Sequence, residues 1–208
     1  MVAEIAPRPT QAVDMQLQQP VQVARLAFTT ADYHRMGEIG IFKPGYRVEL
    51  IDGEVRIMSP IGALHASIVG RLNAVLVPLV GKAATVFVQS PVELNDYTEP
   101  EPDFLLVRPR DDYYKSALPQ AADVFLIIEV SDTTLVYDRQ EKLPRYARAG
   151  IPEVWIAVAD NQPEKQAIER YSEPKDNQYA TKQTFKRGQS ISILALPQVT
   201  ITVDSIFG

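Results

Sequence analysis

The chain has 208 residues, 46% of them hydrophobic and 23% charged, with 16 Pro and 10 Gly. Those values exclude collagen-like, mucin-like and wholly disordered chains, and they fit one hydrophobic core of roughly 170–190 residues. Lys and Arg number 21 against 26 Asp and Glu, a formal net charge of -5, which argues against a protein that coats DNA through nonspecific phosphate contacts.

No run of 18 or more consecutive apolar residues occurs, so a membrane-spanning helix is not expected. The opening stretch MVAEIAPRPTQAVDMQ has no basic segment followed by an apolar core, so no secretory signal is expected either. With zero Cys, disulfides, thiolate zinc sites and cysteine nucleophiles are excluded. A cytoplasmic location is the default expectation.

Residues 1–26 contain Pro7, Pro9, Pro20 and several Gln without a sustained period, and read as a flexible arm. A single domain is expected over 27–208. Thr30 reads as the N-cap of a short helix over Ala31–Glu38. Two alternating segments flank Asp52-Gly53 between Tyr46 and Met58, the strongest short-range hairpin signal. His65, Ile68, Leu72, Leu76 and Leu79 recur at three- and four-residue spacing and predict an amphipathic helix over about 62–79.

Extended segments are expected at Thr85–Val88, Ser90–Leu94 and Glu101–Val107, with a polar loop over Asp111–Pro119. Val124–Val130 is a continuous apolar run that predicts a strand covered on both faces. A helix over Tyr137–Ala149, stopped by Gly150, leads to a buried strand at Glu153–Ala159. Ala167–Tyr171, Tyr179–Phe185 and Ile191–Val203 read as antiparallel strands. The strand–helix–strand from 124 to 159 has the length of a right-handed parallel crossover, so the fold class is α/β with a mixed central sheet and a β-rich C-terminal part.

Four positions carry chemical interest. Glu49 lies in the first hairpin strand, Asp103 follows Pro102, Glu129 ends an apolar run and Lys142 lies in the next helix. A buried Glu is rare unless it is paired or binds a cation. One reading of Glu129 and Lys142 is therefore a structural ion pair. The other starts from their order. Pro-Asp opening one strand, Glu on the next and then Lys is the pattern of metal-dependent nucleases of the PD-(D/E)XK type, whose chemistry needs oxygen ligands for Mg²⁺ and a cation beside the attacking water.

The motifs Val48-Glu-Leu-Ile-Asp-Gly-Glu54, Met58-Ser-Pro60 with His65, Glu101-Pro-Asp103, Ile128-Glu-Val-Ser131, and Asp138 to Lys142 to Tyr146 followed by Gly150-Ile-Pro-Glu-Val-Trp-Ile156 resemble the Uma2 family of restriction-endonuclease-like proteins. The resemblance spans roughly 27–205. It implies a PD-(D/E)XK nuclease core with Asp103, Glu129 and Val130 at the metal and Lys142 as the catalytic cation. It also implies Mg²⁺ as cofactor, with Mn²⁺ as its substitute, and a DNA substrate hydrolysed by metal-activated water. The superfamily pattern places Lys two residues after the Glu, where this chain has Ser131, so Lys142 would reach the same space from the following helix.

His65 and Glu49 each have two readings. His65 lies on an apolar helix stripe and suits a packed core histidine, while the resemblance places it beside the catalytic residues. Glu49 suits an exposed cross-strand partner of Arg56, while the resemblance makes it the early acidic residue of the site. Arg139, Arg145 and Arg148 spread around their helix and read as solvating groups. Lys182, Lys186 and Arg187 read as a solvated face, and Tyr113-Tyr114 either stack bases or anchor their loop. A homodimer is expected if both strands of a duplex are cut. The alternative function is a catalytically inactive nuclease-fold module that binds nucleic acid or a protein partner. A glycosidase built on Glu129 and Asp103 would leave Lys142 and the crossover without a role.

Overall fold

The computed structural model describes residues 25–208, so the expected arm at 1–26 lies almost wholly outside the described residues. The Asp52-Gly53 turn forms as its sequence dictates. Asp52 has φ 49° and Gly53 φ 78°, the left-handed pair that a two-residue hairpin loop requires. β1 (Val48–Ile51) and β2 (Glu54–Ile57) therefore pair antiparallel, as a small sheet of their own. Before them, α1 (Thr30–Glu38) is capped by Thr29 and not by Thr30. The Thr29 hydroxyl accepts from Asp32 N–H, and the Asp32 carboxylate accepts from Thr29 N–H, a reciprocal capping box set by the three-residue spacing.

The central sheet has six strands in the order β3-β4-β5-β6-β7-β8: β3 (Thr85–Val88), β4 (Phe104–Val107), β5 (Val124–Ser131), β6 (Glu153–Val158), β7 (Ala167–Lys175) and β8 (Gln178–Lys186). β5 and β6 are parallel, and every other neighbouring pair is antiparallel. The mixed sheet and the crossover expected from residues 124–159 are both present. β9 (Ser190–Ile193) and β10 (Leu196–Thr202) form a separate hairpin, followed by a short α5 (Val203–Phe207) that the strand pattern concealed.

Strand alternation divides the core in two. Leu126, Ile128, Phe104, Leu106 and Trp155 meet α2 (Ala63–Val80), the β9–β10 hairpin and α5 on one face. Leu105, Val107, Ile127 and Ile156 meet Tyr146, Ile151 and Tyr114 on the other. Ile68, Leu72, Leu76 and Val80 are the buried stripe of α2. By length and composition this helix is apolar enough to cross a membrane, a test that a core helix also passes, and here its buried stripe packs on the sheet.

Three further differences have local causes. Ser90–Leu94 forms no strand, because Val92 and Leu94 N–H groups donate to Pro100 and Thr98 carbonyls inside one loop. The strand expected from Glu101 begins only at Phe104, opposite Ile128. The helix expected over Tyr137–Ala149 is interrupted: α3 (Leu135–Tyr137) runs into a π-helical turn at Asp138–Lys142 and then α4 (Leu143–Arg148). Leu143 N–H donates to Asp138 O, five residues back. Pro144 follows at the start of α4. It has no N–H, and its ring would crowd the carbonyl four residues earlier, so a regular α-turn is disfavoured there.

Candidate active site

Asp103 and Glu129 stand one position beyond the last rung between β4 and β5, Phe104 opposite Ile128. Both are buried, and both line a cavity of about 330 Å³. The cavity lies between the central sheet, the β1–β2 hairpin, the start of α2 and the π-turn. Ser131 O accepts from Ala159 N–H on the β6 side. Alternation along β5 thus turns the Val130 peptide groups toward the opposite edge. There Val130 N–H donates to Asp103 Oδ2 at 2.8 Å.

Asp103 Oδ1 is 2.9 Å from His65 Nε2 and accepts from Gln89 Nε2 at 3.3 Å. His65 is therefore not an apolar-core histidine: it stands at the cavity wall with its ring on a carboxylate. The hydrogen bond to Asp103 raises its pKa above the ordinary histidine value, burial opposes this, and the Asp103 and Asp132 charges and the Val130 backbone add to the rise.

Lys142 joins the second carboxylate to a third. Its Nζ lies 3.2 Å from Glu129 Oε1 and 3.3 Å from Glu49 Oε2. Glu49 is buried, not exposed, and its partner is Lys142 and not Arg56, although Glu49 and Arg56 are register partners in the hairpin. Tyr137 donates to Glu49 Oε1 at 3.0 Å, and Glu101 N–H donates to Oε2 at 3.3 Å. Tyr146 donates to Glu129 Oε1 in a short hydrogen bond. Burial penalises the ammonium of Lys142, yet Glu129, Glu49 and Asp138 together hold its pKa above the ordinary lysine value. Burial pushes Glu129 up to about 8, with Lys142 pulling the other way. The three carboxylates around one ammonium decide for a charged Lys142.

Asp138, Lys142 and Tyr146 are all buried, so the face expected to look toward the sheet does so despite the π-turn. Asp138 Oδ2 accepts from Ser131 Oγ at 2.6 Å and Thr134 Oγ1 at 2.7 Å. The remaining helix cations have partners elsewhere. Arg139 pairs with Glu169, and Arg145 and Arg148 pair with Asp52 at the hairpin turn. Lys182 pairs with Glu169 and Arg187 with Asp204. Tyr113 is exposed while Tyr114 is buried and donates to Arg108 O.

Among the described residues, no group of three or more His, Cys, Asp or Glu side chains has the arrangement of a ready-made metal cage. The donor set still fits a hard cation. Glu129 lines the cavity, and its Oε1 takes the hydrogen bonds of Lys142 and Tyr146, while none to its Oε2 occurs among the described residues. Asp103, docked on Val130 N–H, and Val130 line the same cavity. Mg²⁺ needs only one or two carboxylates and keeps several waters, so Asp103 and Glu129 could hold it without a third acidic ligand.

Arg47, Arg56 and Tyr137 also line the cavity, and sequence reasoning gave none of them a site role. The signal for two of them was present: Arg47, just before β1, is two residues from Glu49, and Arg56 is the register partner of Glu49, so all three share one hairpin face.

Residues 30–204 match the Uma2 family, described as "Putative restriction endonuclease". No curated protein matches the chain. Among solved structures it is similar to "a putative nuclease belonging to DUF820" from Anabaena variabilis ATCC 29413, with a TM-score of 0.60 and 14% identity over 86% of this chain and 97% of that one. That likeness bears out the nuclease-like α/β fold expected from the motifs. Since the family match spans most of its length, the chain belongs to the Uma2 family of restriction-endonuclease-like proteins.

Proposed function

We propose that residues 27–208 form one nuclease domain, which hydrolyses phosphodiester bonds of DNA with a divalent cation, Mg²⁺ or Mn²⁺. The observation that carries this reading is the pairing at the end of the sheet. Asp103 is docked on Val130 N–H, beside a Glu129 whose Oε2 takes no hydrogen bond, and Lys142 stands next to Glu129. Asp103, Glu129 and the Val130 carbonyl would hold the cation. When bound, it supplies Lewis acidity, polarising a phosphoryl oxygen and making water more acidic.

The chain's own groups divide the remaining work. Lys142 keeps a fixed positive charge in a buried position, where it offsets the negative charge that develops at phosphorus. Glu49 helps to hold that ammonium in place and is itself oriented by Tyr137 and Glu101 N–H. Tyr146 orients Glu129 through Oε1 and leaves Oε2 for the cation. His65 and Gln89 fix Asp103 Oδ1, so Asp103 loses little rotamer freedom on binding.

The test is cleavage of supercoiled plasmid with Mg²⁺, with Mn²⁺ and with EDTA, by wild type and Glu129→Gln. Nicking by wild type only when a divalent cation is present, lost in Glu129→Gln, is the expected result. No nicking by wild type with either cation would overturn the reading. One observation favours a second reading, the inactive binding module: both oxygens of Asp103 already accept hydrogen bonds within the protein. Under it, wild type would bind DNA and never cut it.

A further inference from the structure

The β1–β2 hairpin turns one face toward the cavity. Met58 N–H donates to Arg47 O, which extends the hairpin register by one pair beyond Val48 and Ile57. Arg47, Glu49, Arg56 and Met58 therefore alternate onto the same face, and all four line the cavity. Lys142, the third cation of the cavity wall, is buried and committed to Glu49 and Glu129. Arg47 and Arg56 are different. They are 31% and 26% exposed, and their carboxylate partners, Glu101 at 22% for Arg47 and Glu141 at 40% and Glu54 at 46% for Arg56, also reach solvent.

We infer that Arg47 and Arg56 are the phosphate-contacting pair of this site, holding the DNA backbone beside the scissile linkage by exchanging Glu101, and Glu141 with Glu54, for phosphate oxygens. The inference rests on the nuclease reading of the site. Three features support it. Arg47 meets Glu101 through Nη2 alone, at 2.6 Å, so its other donors remain for a second acceptor. A guanidinium presents its donors as a planar fork that matches a phosphate. The carboxylates that would be released reach solvent, Glu141 and Glu54 more than Glu101, so water can take over their hydrogen bonds.

The hairpin also provides rigidity for such contacts. Arg56 is braced by Tyr137, which donates in turn to Glu49, so the phosphate-holding wall and the Lys142 site share one set of hydrogen bonds. Asp52 at the hairpin turn pairs with Arg145 and Arg148 of α4. The turn of the hairpin is thereby tied to α4, which carries Tyr146, while Glu49 and Arg56 are tied to α3 and the π-turn through Tyr137, Glu141 and Lys142. A phosphate bound by Arg47 and Arg56 would lie in a fixed position relative to Lys142, as a reacting phosphodiester requires.

Fluorescence anisotropy of a labelled oligonucleotide, single-stranded in one arm and duplex in the other, tests this in EDTA from about 50 to 200 mM salt. Arg47→Gln and Arg56→Gln are each expected to weaken binding about tenfold and to reduce the slope of log affinity against log salt by about 1. Glu101→Gln, which removes the competitor of Arg47, is expected to bind DNA more tightly than wild type. A merely structural ion pair would instead lower the melting temperature of Glu101→Gln with no gain in binding. Unchanged salt slopes in both folded arginine variants, or no tightening in Glu101→Gln, would overturn the inference. If wild type still nicks plasmid in that case, the nuclease reading survives without it. If wild type neither binds nor nicks DNA, both fall together.

Discussion

Glu49 Oε2 lies 3.3 Å from the Lys142 ammonium, a contact that ties a hairpin outside the central sheet to the π-turn that follows β5. The same ammonium reaches Glu129. One buried cation thus serves two buried carboxylates, and removing it leaves both without a counter-charge.

Lys142→Met keeps most of the stem volume and deletes the charge. Stability at neutral pH should fall by about 3–5 kcal/mol, the usual cost of breaking a buried pair from one side. Part of that loss should return as pH is lowered, because the stranded carboxylates can then protonate. Urea unfolding at two pH values checks this. Cleavage should fall by about 10²–10³ under conditions where the variant stays folded. Wild-type cleavage by folded Lys142→Met would show that the ammonium has only a structural role.

His65→Leu separates the cavity-wall role of this histidine from simple packing. Asp103 keeps its hydrogen bonds from Gln89 and Val130 N–H, so the unfolding free energy should change by no more than about 1–3 kcal/mol. Turnover should drop, because Oδ1 loses its anchor. Equal nicking rates for the two proteins would place His65 outside the working site.

The hairpin turn is fixed from outside as well as within. A Cβ at Gly53 would meet Ala27 Cβ at 2.6 Å and Ala27 Cα at 2.9 Å, and φ there is +78°. Gly53→Ala should therefore cost more than about 1 kcal/mol, and it should reduce cleavage as well, since the hairpin carries Glu49. A thermal melt unchanged from wild type would contradict this.

Much of the fold was legible because its signals are local. Asp52-Gly53 needs only its own backbone preference to make a turn, and the apolar run Val124–Ile128 declares a strand buried on both faces. Glu129 was legible for the same reason, as a carboxylate closing such a run. The π-turn was not, because Asp138–Lys142 has ordinary helical composition and the departure depends on Pro144 downstream. Burial of Glu49 was also invisible, since it depends on a lysine brought in from another element. Tyr137 carried no sign of a role because its partners, Glu49 and Arg56, lie on a hairpin remote in sequence.

Acid should probe a separate part of the sheet. Burial pushes the Glu169 carboxyl up, but hydrogen bonds from Lys182, Arg139 and Tyr171 outweigh it and hold the group below its ordinary value of 4.5. A carboxyl lowered in the folded state stabilises the protein above its unfolded pKa, and this contribution is lost as pH falls through the folded value. Stability should therefore decline below about pH 4.5. Glu169→Gln should be less stable at neutral pH and show a shallower decline, which denaturant melts across pH 3–7 would measure. Parallel pH profiles for the two proteins would exclude this contribution.

The most direct test of a cation shared by Asp103 and Glu129 is calorimetric titration of Mn²⁺ into wild type and Asp103→Asn. Asn keeps the shape of the side chain and a carbonyl oxygen while removing the charge a hard cation seeks. Wild type should show saturable Mn²⁺ binding, and Asp103→Asn, still folded, should lose it. Equal binding by the two proteins, or none by wild type, would contradict the shared site.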